Sequence, residues 1–237
     1  MSFSELAQGI GARLGMSRQP IALAFVDEPP QGVNQTVGEV PSSCAFWRQA
    51  EERIFYAPAE RHFNCPVGAM VMGFELPTAT QAELLTLVRM MGDCDYVTAD
   101  EVPRIPSMKK AKKGIVYGPL KDFPIAPDII LLWLTPTQSM IFSEAAGSSK
   151  WSEIVSPAPS GRPACAVVPL ALERGQPTLS LGCTGMRTLT QITDGLLLAA
   201  LPGHQAAEFL SRLATTVAAN SAMQKFYQDK RAVIRDW

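Results

Sequence analysis

An α+β fold with a mixed sheet and flanking helices is predicted by three observations. Strand-sized apolar runs and stretches of helical period interleave along the 237 residues, while strict strand–helix–strand units are too few for a doubly wound fold. The run "DIILLWL" is apolar at every position from Ile129 to Leu134, as expected of a central strand covered on both faces. Hydrophobic residues make up 47% of the chain, enough for a sizeable core.

The elements follow in order. "SELAQGIGARL", 4 to 14, places Leu6, Ile10 and Leu14 on one helical face. "PIALAFV", 20 to 26, reads as a core strand stopped by Asp-Glu-Pro-Pro, and "QGVNQTVGEVPSS" as a loop. "SSCAFWRQAEE" reads as a short helix with a serine cap, and "RIFYAPAE" as a strand ended near Pro58. Cys65-Pro66 opens a helix, because proline suits the first helical position, where its missing N–H costs nothing. "TATQAELLTLVRMMG" is a helix with Gly92 as its stop. "GIVYGPL" and "DIILLWL" are strands, and "TPTQSMIFSEAAG" is a helix entered through Thr135-Pro136. "SPAPSGRP", 156 to 163, is the linker candidate. Beyond it come the helix "ACAVVPLALERG" kinked at Pro169, the strand "PTLSLGC", a turn at "TGMR", the apolar run "GLLLAALPG", and a helical tail from Gln205 to Ile234. A single domain over 1–237 is expected. "CAFWR" and "CTGMR" each carry an arginine four residues after a cysteine, and each precedes an apolar segment. That echo raises two pseudo-symmetric halves, 1–155 and 163–237, packed together, as an alternative organisation.

Lys+Arg 21 against Asp+Glu 22 leaves no electrostatic footprint for nucleic acid or an anionic membrane. "KKAKKG", after Pro103 and Pro106, reads as a solvated loop, a local anion contact being the alternative. No apolar run approaches the roughly 20 residues that span a bilayer, and the N-terminal segment reads as an amphipathic helix rather than a signal peptide. A cytoplasmic location is expected. Five cysteines without a secretory signal argue against a disulfide framework, and two histidines exclude a His-rich metal site.

The candidate chemistry therefore rests on sulfur. Cys65, at a predicted helix start, faces unpaired N–H groups that stabilise a thiolate, with Gly68 allowing close approach and His62 and Asn64 just upstream. The bland alternative is a small hydrophobe filling the core. Cys44 and Cys183 stand four residues before Arg48 and Arg187, a spacing that on a helix sets thiol and guanidinium on one face. Cys165 lies in an apolar helix, and Cys94 stands between two aspartates as an outsider. None of these spacings makes a Cys-x-x-Cys knuckle, although four dispersed cysteines ligate an iron–sulfur cluster where a fold gathers them. Met70/Met72 and Met90/Met91 fit core filling. The nucleotide-binding, serine-hydrolase and zinc-protease motifs do not occur.

The blocks "PSSCAFWRQAEERIFYAPAERHFNCPVGAMVMGF", "IVYGPLKDFPIAPDIILLWLTPTQSMIFSEAAG" and "TLSLGCTGMRTLTQITDGLLLAALPG" together resemble an uncharacterised bacterial and archaeal family, domain of unknown function 169. The resemblance runs from the first strand to Gly203. It carries the family's cysteine before the first short helix onto Cys44, and its "CP.G" block onto Cys65, Pro66 and Gly68. Its "YGPL" and "PD" blocks fall on Tyr117 to Leu120 with Pro127 and Asp128, and its late block on Cys183, Gly185 and Arg187. The family implies no activity.

Three functions are carried forward. The first is a metal or iron–sulfur centre held by Cys44, Cys65, Cys165 and Cys183, working with a redox partner or a small-molecule ligand. The second is a module without metal that binds a small anionic or carboxylate ligand through Arg48, Arg187 and the backbone near Gly68. The third is a thiol enzyme with Cys65 as nucleophile and His62 as base. A homo-oligomer is compatible with each.

Overall fold

A computed structural model describes residues 1–35, 38–98, 100–109, 112–148, 159–160 and 162–232. Among them, seven strands form one sheet: β1 (Ile21–Val26), β2 (Phe55–Pro58), β3 (Gly114–Pro119), β4 (Ile129–Leu134), β5 (Pro159–Ser160), β6 (Thr178–Ser180) and β7 (Leu197–Pro202). Their order across the sheet is β2-β3-β1-β4-β7-β6-β5. All neighbours are antiparallel except the parallel β5–β6 pair, which makes the sheet mixed. β4 lies between β1 and β7, so the run "IILLWL" occupies the centre and is buried along its whole length.

Alternation along the strands divides the core into two layers. Ile21, Leu23, Phe55, Ala57, Ile115, Tyr117, Ile129, Leu131, Trp133, Leu198 and Ala200 face one layer. It is closed by α2 (Ala45–Gln49), α3 (Pro66–Val71), α6 (Val167–Arg174) and α7 (Thr184–Thr190). Ala22, Ala24, Tyr56, Val116, Ile130, Leu132, Leu134, Ala199 and Leu201 face the other, closed by α1 (Phe3–Leu14), α5 (Pro136–Ser143) and α8 (Ala206–Ala232). The remaining helix, α4 (Thr78–Gly92), packs against α3. The fold is α+β with helices on both faces, as the interleaved pattern predicts.

Local chemistry explains most element ends. In α1 the Ser2 hydroxyl accepts from the Glu5 N–H at 3.2 Å while the Glu5 carboxylate accepts from the Ser2 N–H at 2.7 Å, and Gly15 closes the helix with φ 64°. Thr135 and Gln138 repeat the box at the start of α5. Asp128 ties β4 to β1: its N–H donates to the Leu23 carbonyl at 2.8 Å, and its carboxylate accepts from the Phe25 N–H at 2.7 Å. Gly203 leaves β7 so close to this corner that a Cβ there would clash with the Pro127 carbonyl oxygen.

Four expectations change. The residue before α2 is Cys44 rather than a serine, and no side chain caps that helix. Pro169 produces no kink, because α6 begins at Val167 and proline in a first turn displaces no hydrogen bond. "TGMR" is helical, the opening of α7, with the Cys183 sulfur accepting from the Met186 N–H at 3.4 Å in the capping role that sequence reading reserves for oxygen. Met90, read as core filling, is 57% exposed on α4, whereas Met72 is fully buried. Half of the linker candidate 156–163 lies outside the described residues. Strands from both sides of it pair in the one sheet through β4 and β7.

Candidate metal centre

Four helix starts bring sulfur to the first layer. Cys44, Cys65 and Cys183 immediately precede α2, α3 and α7, and Cys165 sits in the 3-10 turn Ala164–Ala166 that leads into α6. Pro66 sets the first of these geometries at α3 by fixing φ at the first helical position. α2 packs on α7, and α3 packs on the Ala164–Ala166 turn. Cys44 and Cys165 are buried, whereas Cys65 and Cys183 are half-buried. Cys94 is exposed.

Burial keeps the two inner thiols protonated. Burial pushes the Cys44 thiol well above its usual range, and the charges of Cys165, Cys65 and Cys183 push it further. Burial likewise raises Cys165, with Cys65 and Cys183 adding to it. The charges acting on Cys44 are thus those of other sulfurs rather than of Arg48. α2, α3 and α7 have five, six and seven residues, too few turns for a strong macrodipole, so the helix-start argument for Cys65 loses most of its force.

Gly68 closes the gap between α2 and α3. A Cβ there would lie 2.7 Å from the Ser43 Oγ and 3.0 Å from the Cys65 Sγ, so both atoms border the space that glycine leaves open. Ser42 and Ser43 are 2% and 1% exposed, yet neither hydroxyl has a hydrogen-bond partner among the described residues. The indole N–H groups of Trp47 on α2 and Trp133 on β4 are also unpartnered, with ring centroids 6.1 Å apart. Unpaired buried donors cost about 1–3 kcal/mol each, so four of them in one layer is unusual. Sequence reading assigned the serines to capping and missed them as donors; a doubled serine beside a cysteine was the available signal.

A single tetrahedral metal ion bound at about 2.3 Å needs sulfurs a little under 4 Å apart. Among the described residues no group of three or more His, Cys, Asp or Glu could hold a metal ion. A mononuclear site therefore does not fit the thiols as they stand. An iron–sulfur cluster interposes iron and sulfide between its thiolates and asks for wider spacing than a single ion does.

The other sequence candidates serve the fold. The Arg187 guanidinium donates to the carbonyls of Leu181 at 2.6 Å, Leu196 at 3.1 Å and Thr193 at 3.2 Å, and lies 3.6 Å from Asp194. Arg48 pairs with Glu51 at 3.4 Å, and Glu51 also binds Arg18 at 2.8 Å. Asn64 donates to the Val40 carbonyl at 3.1 Å. His62 is fully buried, and both ring nitrogens are engaged: Nδ1 at 3.1 Å from the Pro58 carbonyl and Nε2 at 3.0 Å from the Tyr117 hydroxyl. A carbonyl only accepts, so Nδ1 carries the proton and Nε2 accepts from Tyr117. Burial lowers the His62 pKa to about 4, keeping the ring neutral, and it raises Tyr117. The ring has no free nitrogen with which to serve Cys65.

The described residues thus define an α+β protein with four thiols from four segments on one sheet face. The family profile described as DUF169, Uncharacterised ArCR, matches residues 10–212, and the chain belongs to that family. No curated protein and no solved structure matches it. No helix among the described residues is long and apolar enough to cross a membrane. On this geometry the blocks of the sequence divide in two: "YGPL" and "PD" supply the Tyr117–His62 bond and the Asp128 clamp, while the cysteine blocks supply the sulfurs.

Proposed function

We propose that Cys44, Cys65, Cys165 and Cys183 hold an iron–sulfur cluster, or another polynuclear thiolate-bound metal centre. The single observation that carries this reading is four thiols at four separate helix starts that pack pairwise, α2 on α7 and α3 on the Ala164–Ala166 turn, beside unpartnered buried hydroxyls. Four neighbouring thiolates repel one another, and a bound cationic centre supplies the compensating charge as it displaces the protons. When bound, such a centre would supply one-electron transfer to a redox partner, or a site for a small-molecule ligand. The protein's part is to exclude water from Cys44 and Cys165 and to fix the four sulfurs on short, rigid helix starts. Free thiols suit the reducing cytoplasm as the place of action.

Anaerobic purification with iron, zinc and acid-labile sulfide analysis tests the centre. Iron and sulfide should be bound, and Cys44→Ala, Cys65→Ala, Cys165→Ala and Cys183→Ala should each lose most of both, whereas Cys94→Ala should lose neither. A colourless protein without iron, zinc or sulfide overturns the reading. The anionic-ligand alternative would require Arg187 to release three carbonyls, and the thiol-enzyme alternative would require a base other than His62.

A further inference from the structure

We infer that a groove beside β2 binds an organic cation, a primary ammonium carried on an apolar body, and that the Tyr56 hydroxyl accepts a hydrogen bond from the ammonium. β2 is an outermost strand of the sheet, and the chain before and after it walls an open groove of about 490 Å³, a size that suits a small ligand. Tyr56, Pro29 and Phe74 give it apolar surface, and Glu60, Glu75 and Lys113 bring charge to it. None of the four clustered thiols lines it, so the inference is independent of the reading above.

Tyr56 carries the polar group that the fold leaves unused. It is 4% exposed, yet its hydroxyl has no hydrogen-bond partner among the described residues, where a buried tyrosine usually finds one. The ring lies across Gly114: a Cβ there would be 2.6 Å from Tyr56 Cε2 and from Cζ, the carbon that bears the hydroxyl. That end of the ring is thereby held beside Lys112 and Lys113, which line the groove.

The field at this hydroxyl is negative. Burial raises its pKa, and the carboxylates of Glu60, Asp27 and Glu28 raise it further; a field that opposes a phenolate favours an approaching cation. Among the described lysines of "KKAKKG", Lys109 pairs with Glu173, and Lys112 pairs with Asp27 at 2.6 Å. Their charge is already balanced, which leaves Glu60 and Glu75 in the lining against Lys113 alone. Aromatic rings also attract cations held over their faces, and Tyr56 and Phe74 both border the space.

Isothermal titration calorimetry at low ionic strength tests the site with three probes that share one apolar body: hexylammonium, hexyltrimethylammonium and hexanoate. Hexylammonium should bind, and hexanoate should not. Tyr56→Phe keeps the ring and removes only the hydroxyl. It should weaken hexylammonium about tenfold, the value of one hydrogen bond to a charged group, and leave hexyltrimethylammonium, which has no N–H to donate, unchanged. Glu60 and Glu75 are exposed, so the double variant Glu60→Gln, Glu75→Gln tests the site even if Tyr56→Phe fails to fold; it should bind both cations severalfold more weakly. Cys65→Ala should bind hexylammonium as wild type does, so this result and that of the thiol-bound centre are read separately. Absence of hexylammonium binding at millimolar concentration overturns the inference. So does unchanged hexylammonium affinity in Tyr56→Phe or in the double glutamate variant. Hexanoate binding that Lys113→Gln abolishes would make the groove an anion site and overturn it as well.

Discussion

His62 illustrates how little a residue's type says about its task. Imidazole beside a cysteine suggests a base, but Phe46, Phe74 and Tyr117 surround this ring, at centroid distances of 5.0, 4.7 and 6.1 Å. Its pKa of about 4 lies below the value of about 6.5 that it regains on unfolding. The unfolded chain therefore binds a proton over a range in which the folded chain does not, and the folded state loses ground as pH falls from about 6.5 towards 4. At about 1.4 kcal/mol per unit, the loss approaches 3 kcal/mol at the lower end. Urea midpoints measured from pH 7 to 4.5 should fall steadily below pH 6.5. A flat profile across that range would mean that the ring is solvated or protonated in the folded protein. The same contrast marks Arg187, chosen from sequence as a ligand-binding cation and found holding three carbonyls.

At the scale of elements, the short helices define the candidate site. α7 is held at its far end by Arg187, which joins the segment before Cys183 to the loop after the helix through Leu181, Thr193 and Leu196. Arg187→Ala leaves those carbonyls without that donor and should cost about 2 kcal/mol, seen as a lower urea midpoint. Arg187→Lys should recover less than half of it, because a single ammonium cannot span three acceptors as the planar guanidinium fork does. Equal stability of both variants with wild type would show the fork to be dispensable. These helix starts were half legible. Cys-Pro at 65–66 announced α3, since proline at a first helical position has a local cause. The start at Cys183 was hidden, because a glycine two residues on mimics a turn and sulfur is an uncommon cap.

At the scale of the whole molecule, the sheet accepts helices on both faces, and α8 packs along its first half, where Val217 lies against the core and Asn220 donates to Glu144. Ala206, Phe209, Leu210 and Leu213 are its buried residues, while Met223, Phe226 and Tyr227 lie exposed further along. The family match ends at residue 212, close to where burial fades. Removing residues 221–237 should shift the melting temperature by no more than about 2 °C, the range of exposed surface changes in a chain of this size. A larger drop in a differential scanning measurement would mean that the distal helix is packed in solution.

Composition and periodicity determined by themselves the α+β class, the central place of "IILLWL", and most helix and strand positions. Those features arise from side-chain spacing and turn chemistry, which act within a few residues. The family blocks also marked which cysteines to watch. Only the tertiary structure decided that the helix starts carrying Cys44 and Cys183, and those carrying Cys65 and Cys165, pack in pairs, that Ser43 has no cap to make, and that His62 and Arg187 are already engaged. Each of these depends on which distant segments the sheet order brings onto one face. Spacing along the chain carries no measure of that distance.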